Sequence, residues 1–438
     1  MTDPKLSASE VRRRLEAELQ GNFEFEISEE RVRILRFLGE GPDAVIPEGV
    51  THIGDSAFEF CGFLEKISFP GTLTHIGASA FLFCERLRNL TLPENLVFID
   101  ESAFFGCGEL GSVTFPDGLA YLGHAAFHSC GKLRSVTLPA GLMELGHNPF
   151  SWCSALEEIH VSEENPHFQS IDGLLFSRDG RKFIRFPEGK SGVCRLPASV
   201  EEIDMTAFGA CRLLEEIQVD ARNAHFRSVD GILYSHDMRS LLCCPVQKSG
   251  ECVIPDGVTR IEMEAFALNE KLTSVILPDS VTEIGSFAFS QCETLRTVRL
   301  PAGLRRLEER TFWHCALLEE LTLPETLEFL GEGQFQDGVS LRNIAIPPGV
   351  MRIESASFAG CTALSQVQLP DALTFIGEMA FSGCRELGEL RIPESVTEIA
   401  DDAFEECAKL TFLAVPNSAG HRYAEKNGIP FRLRTAAD

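Results

Sequence analysis

The stretch IPDGVTRIEMEAFALNEKLTSVILPDSVTEIGSFAFSQCETLRTVRLP, residues 254–301, decides the fold. It is one pattern written twice, at a step of 23 residues. Pro255, Pro278 and Pro301 share one position, Phe266 and Phe289 a second, and Leu272 and Leu295 a third. Carried outward, the same ruler reaches most of the chain. Pro47, Pro70, Pro93, Pro116 and Pro139 keep it, Pro197 stands alone, and Pro255 to Pro416 resume it. Phenylalanine follows: Phe58, Phe81, Phe104, Phe127, Phe150, then Phe208, then Phe266 to Phe404 in steps of 23, which makes 13 units. Cysteine comes three residues after that Phe in 11 of the 13, with Asn269 and Gly338 the departures, and leucine comes six after it in all 13.

A coil of chain with fixed apolar positions cannot bury them alone, so coils stack on one another. The tail of the unit, such as Leu64-Glu-Lys-Ile67-Ser-Phe69, alternates apolar and polar and predicts a short strand. Stacked strands make a parallel sheet rising about 4.8 Å per rung. The proline closes each strand, where a missing N–H matters least. The segment from Ala57-Phe58 to Cys61 predicts a helical or 3₁₀ turn on the other side.

Pro197 lies 58 residues from each neighbouring unit, a step of 23 plus an excess of 35. The excess itself repeats. NPHFQSIDGLLFS from Asn165 recurs as NAHFRSVDGILYS from Asn223, and each copy then runs through a second apolar segment to Pro187 or Pro245. Arg178-Asp179-Gly180 between the runs signals a hairpin. Both ends of a stack expose an apolar face and need caps. Phe23-Glu-Phe25-Glu-Ile27 and Val32-Arg-Ile34-Leu-Arg-Phe37 alternate as strands. Ser7-Ala-Ser-Glu10 reads as a capping box opening a helix with Val11, Leu15 and Leu19 on one stripe. At the far end, residues 421–428 read as a short helix stopped by Gly428, with a last strand at Ile-Pro-Phe431. The expected division is an N-terminal helix (1–21), a β cap (22–46), a solenoid of 13 units (47–415) with long inserts at 162–196 and 220–254, and a C-terminal cap (416–438).

The unit IPxxVxxIGxxAFxxCxxLxxIxLP resembles the BspA-type, or Treponema-type, leucine-rich repeat. The strand pair at Phe23–Phe37, the tail RYAEKNGIPF and the long inserts are similar to that family's flanks and long variant, so the resemblance covers roughly residues 22–433. It implies a right-handed curved solenoid and a role in protein–protein contact. It also implies an alternative, since many members are bacterial surface or secreted proteins that bind host or partner-cell ligands.

Composition narrows the rest. With 39 Lys and Arg against 65 Asp and Glu, the net charge is −26, and no basic cluster suits a nucleic-acid backbone. No run of 18 apolar residues spans a membrane, and the N-terminus shows no secretory signal. A cytoplasmic location is therefore expected, with the cell surface, by a route not visible in the sequence, as the alternative.

Eleven of the 15 cysteines hold one repeat position, one thiol per rung. Such a ladder selects no disulfide pairs and brings no four thiols together around zinc. It reads as a small buried side chain under the turn, and abundant unpaired thiols suit a reducing compartment. Cys243-Cys244 is a vicinal pair with redox potential, although its counterparts in the other insert are Arg185 and Phe186. His124 and His128 lack a carboxylate at metal-site spacing, and His167 and His225 recur as structural turn residues. Glu pairs such as Glu157-Glu158 and Glu319-Glu320 recur on several rungs and form a solvated face rather than a unique acid–base pair. No nucleophile elbow or phosphate loop occurs. No cofactor, no metal and no catalysis are expected.

The informative residues break the polar default. Six residues before the repeat Phe the chain carries Glu144, Glu202, Arg260, Glu283 and Arg306, but in the first four units it carries His52, His75, Phe98 and Tyr121. Stacking predicts an aromatic column there. Two residues after the repeat Phe stand Phe60, Phe83 and, in the fifth unit, Trp152, with Phe63 and Phe105 nearby. Clustered exposed aromatics mark partner sites, and the competing role is packing on the N-terminal cap. The expectation is a non-catalytic scaffold that binds an unidentified protein partner through these seven residues.

Overall fold

A residue fixed apolar at every twenty-third position is buried only if successive coils lie on one another, and they do. The computed structural model describes residues 8–28 and 31–434, residues 8–11 by backbone alone. Two compact units result: Met1–Ser191 with Ser199–Leu213, and Gly192–Ala198 with Leu214–Asp438. Each is a β-solenoid of stacked parallel strands.

In the first unit, His52–Ile53, His75–Ile76, Phe98–Ile99, Tyr121–Leu122 and Glu144–Leu145 form one parallel ladder, each strand paired with the next at the 23-residue step. The strands read from the unit's tail form a second line, in which Asp43–Val45 pairs with Lys66–Ser68 and Asn89–Thr91 with Ser112–Thr114. The second unit repeats both lines, for example Arg260–Ile261 with Glu283–Ile284 and Ser274–Ile276 with Thr297–Arg299.

Between the strands, Phe58, Phe81, Phe104 and Phe127 are fully buried and stack at 4.7, 5.0 and 5.0 Å. That spacing is the strand spacing itself, so one side chain serves as core and as register mark. Truncating any of them to Ala would cost about 3–5 kcal/mol.

The helical turn expected at Ala57–Cys61 takes a different form. Every second amide makes an i→i−3 bond, Ala57 N to Gly54 O, Glu59 N to Ser56 O and Cys61 N to Phe58 O, but the amides between them leave the turn. Ser56, Phe58 and Phe60 donate instead to Ala78, Ala80 and Leu82 of the next rung. Ser56 and Phe60 have φ of 55° and 59°, and this left-handed backbone aims their N–H groups along the stack. A helix would satisfy those donors within its own turn and leave the rungs unstitched.

The strands Phe23–Ile27 and Val32–Phe37 pair antiparallel, and the second joins His52–Ile53 in parallel. Phe37 stacks on Phe58 at 4.9 Å, so this hairpin covers the first rung. The helix Ala8–Leu19 buries Leu15 and Leu19 in the same core. Ser7 of the expected capping box, and the side chains of Glu10 and Val11, lie outside the described residues. At the other end the helix Ala419–Asn427 is capped by Ser418, whose hydroxyl accepts from the His421 N–H, and it stops at Gly428 with φ of 67°. Phe431–Leu433 then pairs parallel with Thr411–Ala414.

Each insert contributes three strands. Leu174–Ser177 pairs antiparallel with Lys182–Arg185 across the Arg178-Asp179-Gly180 turn. Phe168–Ile171 pairs antiparallel with Leu174–Ser177 through a second tight turn, Asp172-Gly173, whose φ values of 54° and 77° are both positive. The other insert repeats this at Asp230-Gly231. Asp-Gly at such a turn supplies the two positive φ angles that a two-residue hairpin loop requires.

Candidate protein-binding surface

Residues six before each repeat Phe lie on the two-residue strands, where one side chain faces the core and its neighbour faces out. Ile53, Ile76, Ile99 and Leu122 take the core side. His52, His75, Phe98 and Tyr121 take the outer side and are half-buried. Their rings stack in sequence, with centroids at 4.5, 5.7 and 4.5 Å. The His52–His75 and Phe98–Tyr121 pairs are nearly parallel, 6° and 10° between planes. Faces are thus spent on one another, and the column offers ring edges to anything outside it. Nδ1 of His52 lies 2.8 Å from Thr51 Oγ1, and His75 repeats the contact with Thr74 at 2.8 Å. Burial, the neighbouring His75, and Arg31 and Arg33 push His52 down to about 4, and burial and Arg31 lower His75 too. Both are neutral near pH 7, so the column carries no charge of its own.

The residues two after each repeat Phe sit at the left-handed corner of the turn. All 13 have positive φ, whether they are glycine (Gly106, Gly360, Gly383) or not. Phe60, Phe83 and Trp152 hold bulky rings there at φ of 59°, 55° and 59°. They are 66%, 36% and 48% exposed. Phe60 stacks on Phe83 at 5.6 Å, and Phe83 meets Phe105 edge-on at 5.5 Å. Phe105 stacks on His128 at 4.4 Å. The strip therefore runs across four rungs. Trp152 holds the same corner of the fifth rung, beyond Gly106 and Ser129. Phe63 turns to the cap, 6.5 Å from Phe37.

The rung thiols are donors inside the core. Cys84 Sγ donates to Phe58 O at 3.2 Å, Cys107 to Phe81 O at 3.4 Å, and Cys292 to Phe266 O at 3.1 Å, each one rung back, whereas Cys61 on the first rung turns to Glu59 O of its own turn. Burial pushes Cys107 and Cys292 up to about 12, so each stays a thiol and offers neither thiolate nor metal ligand. Among the described residues no three His, Cys, Asp or Glu side chains converge as a metal site. Cys244 is buried beside Cys252, while Cys243 is half-buried.

Two features escaped the sequence reading. The outer column position is aromatic again at Phe329 and Phe375, where Arg306 and Arg352 guanidinium groups lie over the rings at 4.0 and 3.8 Å. The 23-residue ruler reaches both positions and was the signal for them. The second feature is Glu188 in the first insert, 4% exposed, which accepts the Trp152 N–H at 2.8 Å and pairs with Arg185. No motif announces it, because the contact spans 36 residues.

Comparison with known proteins follows the same lines. The family model for the BspA type leucine rich repeat region matches residues 74–193, 244–365 and 329–421. A leucine rich cell surface protein from Faecalibacterium prausnitzii is 25% identical, with a TM-score of 0.52 over 95% of this chain and 98% of that one. The pneumococcal vaccine antigen PcpA is 20% identical, with a TM-score of 0.50 over 95% and 98%, and it shares the fold. A search of curated protein sequences finds no match. The matched repeats span more than half of the sequence, and the chain belongs to the BspA-type leucine-rich repeat family.

Proposed function

We propose that this protein works by binding another protein, without chemistry of its own, through the aromatic surface of its first five rungs. The observation that carries this is the set of bulky rings at Phe60, Phe83 and Trp152. A left-handed corner costs a side chain about 1–2 kcal/mol, and glycine relieves that cost at the same corner of other rungs. Phenylalanine and tryptophan kept there leave 66%, 36% and 48% of the residue exposed, which suits a surface kept for an outside contact. The stacked column His52, His75, Phe98 and Tyr121 lies on the same rungs and adds a row of neutral ring edges. The net charge of −26 favours a basic partner.

The test is affinity capture from the source organism with wild type beside two triple variants, Phe60→Ala/Phe83→Ala/Trp152→Ala and His75→Ala/Phe98→Ala/Tyr121→Ala. A partner lost from the first variant supports the corner residues, and one lost only from the second moves the contact to the column. Equal capture by all three removes the site from these rungs.

A second reading is a bacterial surface protein, favoured by likeness to the Faecalibacterium cell surface protein over nearly the full length of both chains. The cytoplasmic reading rests on the buried free thiols of the rungs. Protease shaving of intact cells separates them: loss of the protein places it outside, and protection places it inside.

A further inference from the structure

The parallel ladder of the first unit ends at Glu144–Leu145. The next coil is the first insert, and its strand Lys182–Arg185 pairs with Leu174–Ser177 on one side and Glu202–Ile203 on the other. Among the described residues no strand continues the ladder, and a cavity of about 230 Å³ lies in the gap. Leu145, Phe150, Ile159, Phe168, Leu175 and Ile184 give it an apolar wall.

Its polar end follows from the turn ladder. In earlier rungs three alternate amides of each turn donate to the next rung, as Ala125, Phe127 and Ser129 do to the carbonyls of His147, Pro149 and Ser151. The corresponding donors of the fifth rung are Asn148, Phe150 and Trp152. Only Trp152 is satisfied, and by a side-chain carboxyl, that of Glu188 at 2.8 Å. The N–H groups of Asn148 and Phe150 meet no acceptor among the described residues, although Phe150 is only 2% exposed and both residues line the cavity. A buried N–H without a partner is rare and costly. The Arg185 guanidinium lies 3.4 Å from Asn148 Oδ1 at the same end. The other ionisable residues lining the cavity are His147, Lys182 and Asp204, the last two 3.2 Å apart.

We propose that this cavity is a binding site for a small carboxylic acid with a compact apolar body. The carboxylate takes the amides of Asn148 and Phe150, as Glu188 takes the third amide of the same ladder. The apolar body lies against Leu145, Ile159, Leu175 and Ile184. An apolar cavity of about 150 Å³ holds benzene, so this one holds about nine non-hydrogen atoms by proportion. Benzoate has that size and chemistry.

The experiment is calorimetric titration of the full chain at pH 7.5 with benzoate, hexanoate and toluene. Thermal melts at rising ligand concentration accompany it, since a ligand of the folded state raises Tm. One benzoate per chain is expected, bound at least tenfold more tightly than toluene, with hexanoate close behind. The variant Ile184→Phe fills the apolar wall and is expected to lose at least tenfold in benzoate affinity. Should that variant melt early, Leu175→Met, a change of shape at nearly constant volume, is expected to alter the benzoate-to-hexanoate ratio instead. No heat with any ligand overturns the proposal and assigns the two amides to ordered water. Equal binding of toluene and benzoate overturns it too, because the site is then an apolar void without a carboxylate end.

Discussion

The side-chain amide of Asn269 donates to the carbonyl oxygen of Pro245 at 3.0 Å, the bond to the preceding coil that a cysteine makes on other rungs. Its Oδ1 also accepts from the amides of Lys271 and Leu272 at 2.9 and 2.8 Å. Asn165 and Asn223 repeat this arrangement, with Oδ1 on the amides two and three residues later and the side-chain nitrogen on a carbonyl of the previous coil. The departure from cysteine at position 269 is thus a second way of making the same inter-rung tie.

Asn269→Ala should therefore destabilise the second unit by about 2–3 kcal/mol, since it strands buried donors and an acceptor together. Asn269→Cys should restore only a single bond to the preceding coil, as Cys211 makes to Phe186 O, and recover about half of that loss. Scanning calorimetry of the two variants beside wild type checks the order. Equal Tm values for Ala and Cys would show that the tie contributes nothing.

The repeat was legible because it is enforced locally and thirteen times. Within the runs Phe58 to Phe150 and Phe266 to Phe404 each ring meets the same demand to lie about one strand spacing from the next, and a single sequence already averages over those copies. The cap hairpin at Phe23–Phe37 and the helix stopped by Gly428 were legible through alternation and through a glycine that takes φ of 67°. The left-handed corners were not, because Phe60, Gln291 and Glu406 share that backbone with no residue type in common. The candidate surface was half legible. Its residues lie on the ruler, but whether stacked rings show faces or edges depends on interplanar angles that spacing does not encode. The cavity and Glu188 arise where the repeat breaks, and one broken rung offers nothing to average.

Arg185 and Glu188 form a buried pair at 6% and 4% exposure. The second insert carries Cys243 and Val246 at the equivalent positions, so the long rung folds without it. Glu188→Val alone should cost about 3–5 kcal/mol, because Arg185 is left buried without its counter-ion. Arg185→Cys/Glu188→Val, which copies the other insert, should recover most of that loss. Burial pushes the Glu188 carboxyl up from 4.5 to about 7 against the pull of Arg185. Between those values the folded chain holds a proton that the unfolded chain has released, so this group lowers stability as pH rises through that window. The double variant should lose that slope in urea melts from pH 4.5 to 7.5. An unchanged slope would assign it to other groups.

The histidine column tilts the other way. His52 and His75 are bases held below 6.5, mainly by burial. Below pH 6.5 the unfolded chain binds protons that the folded column refuses, so their contribution is complete above that value and is lost as pH falls toward 4. His52→Gln/His75→Gln should flatten the decline of the first unit's Tm between pH 6.5 and 5. A decline as steep as that of wild type would mean that the rings protonate freely in the folded state.

Gly106 and Gly383 hold the same corner of two rungs at the same φ, 74°. A β-carbon on Gly106 would lie 2.4 Å from Cδ1 of Phe83, whereas one on Gly383 meets nothing nearer than Gly360 Cα at 3.6 Å. Gly383→Ala should cost about 1 kcal/mol, the penalty of a left-handed alanine. Gly106→Ala carries the same penalty and must also displace the Phe83 ring, so it should lower stability further. The extra loss should vanish in a Phe83→Ala background, where the two glycine substitutions become equivalent. If Phe83 belongs to the partner surface, Gly106→Ala also weakens capture of that partner, while Gly383→Ala leaves it unchanged. Equal costs for the two substitutions in the wild-type background would mean that Phe83 does not rest over Gly106 in solution, and the strip from Phe60 to His128 would then be interrupted at its second ring.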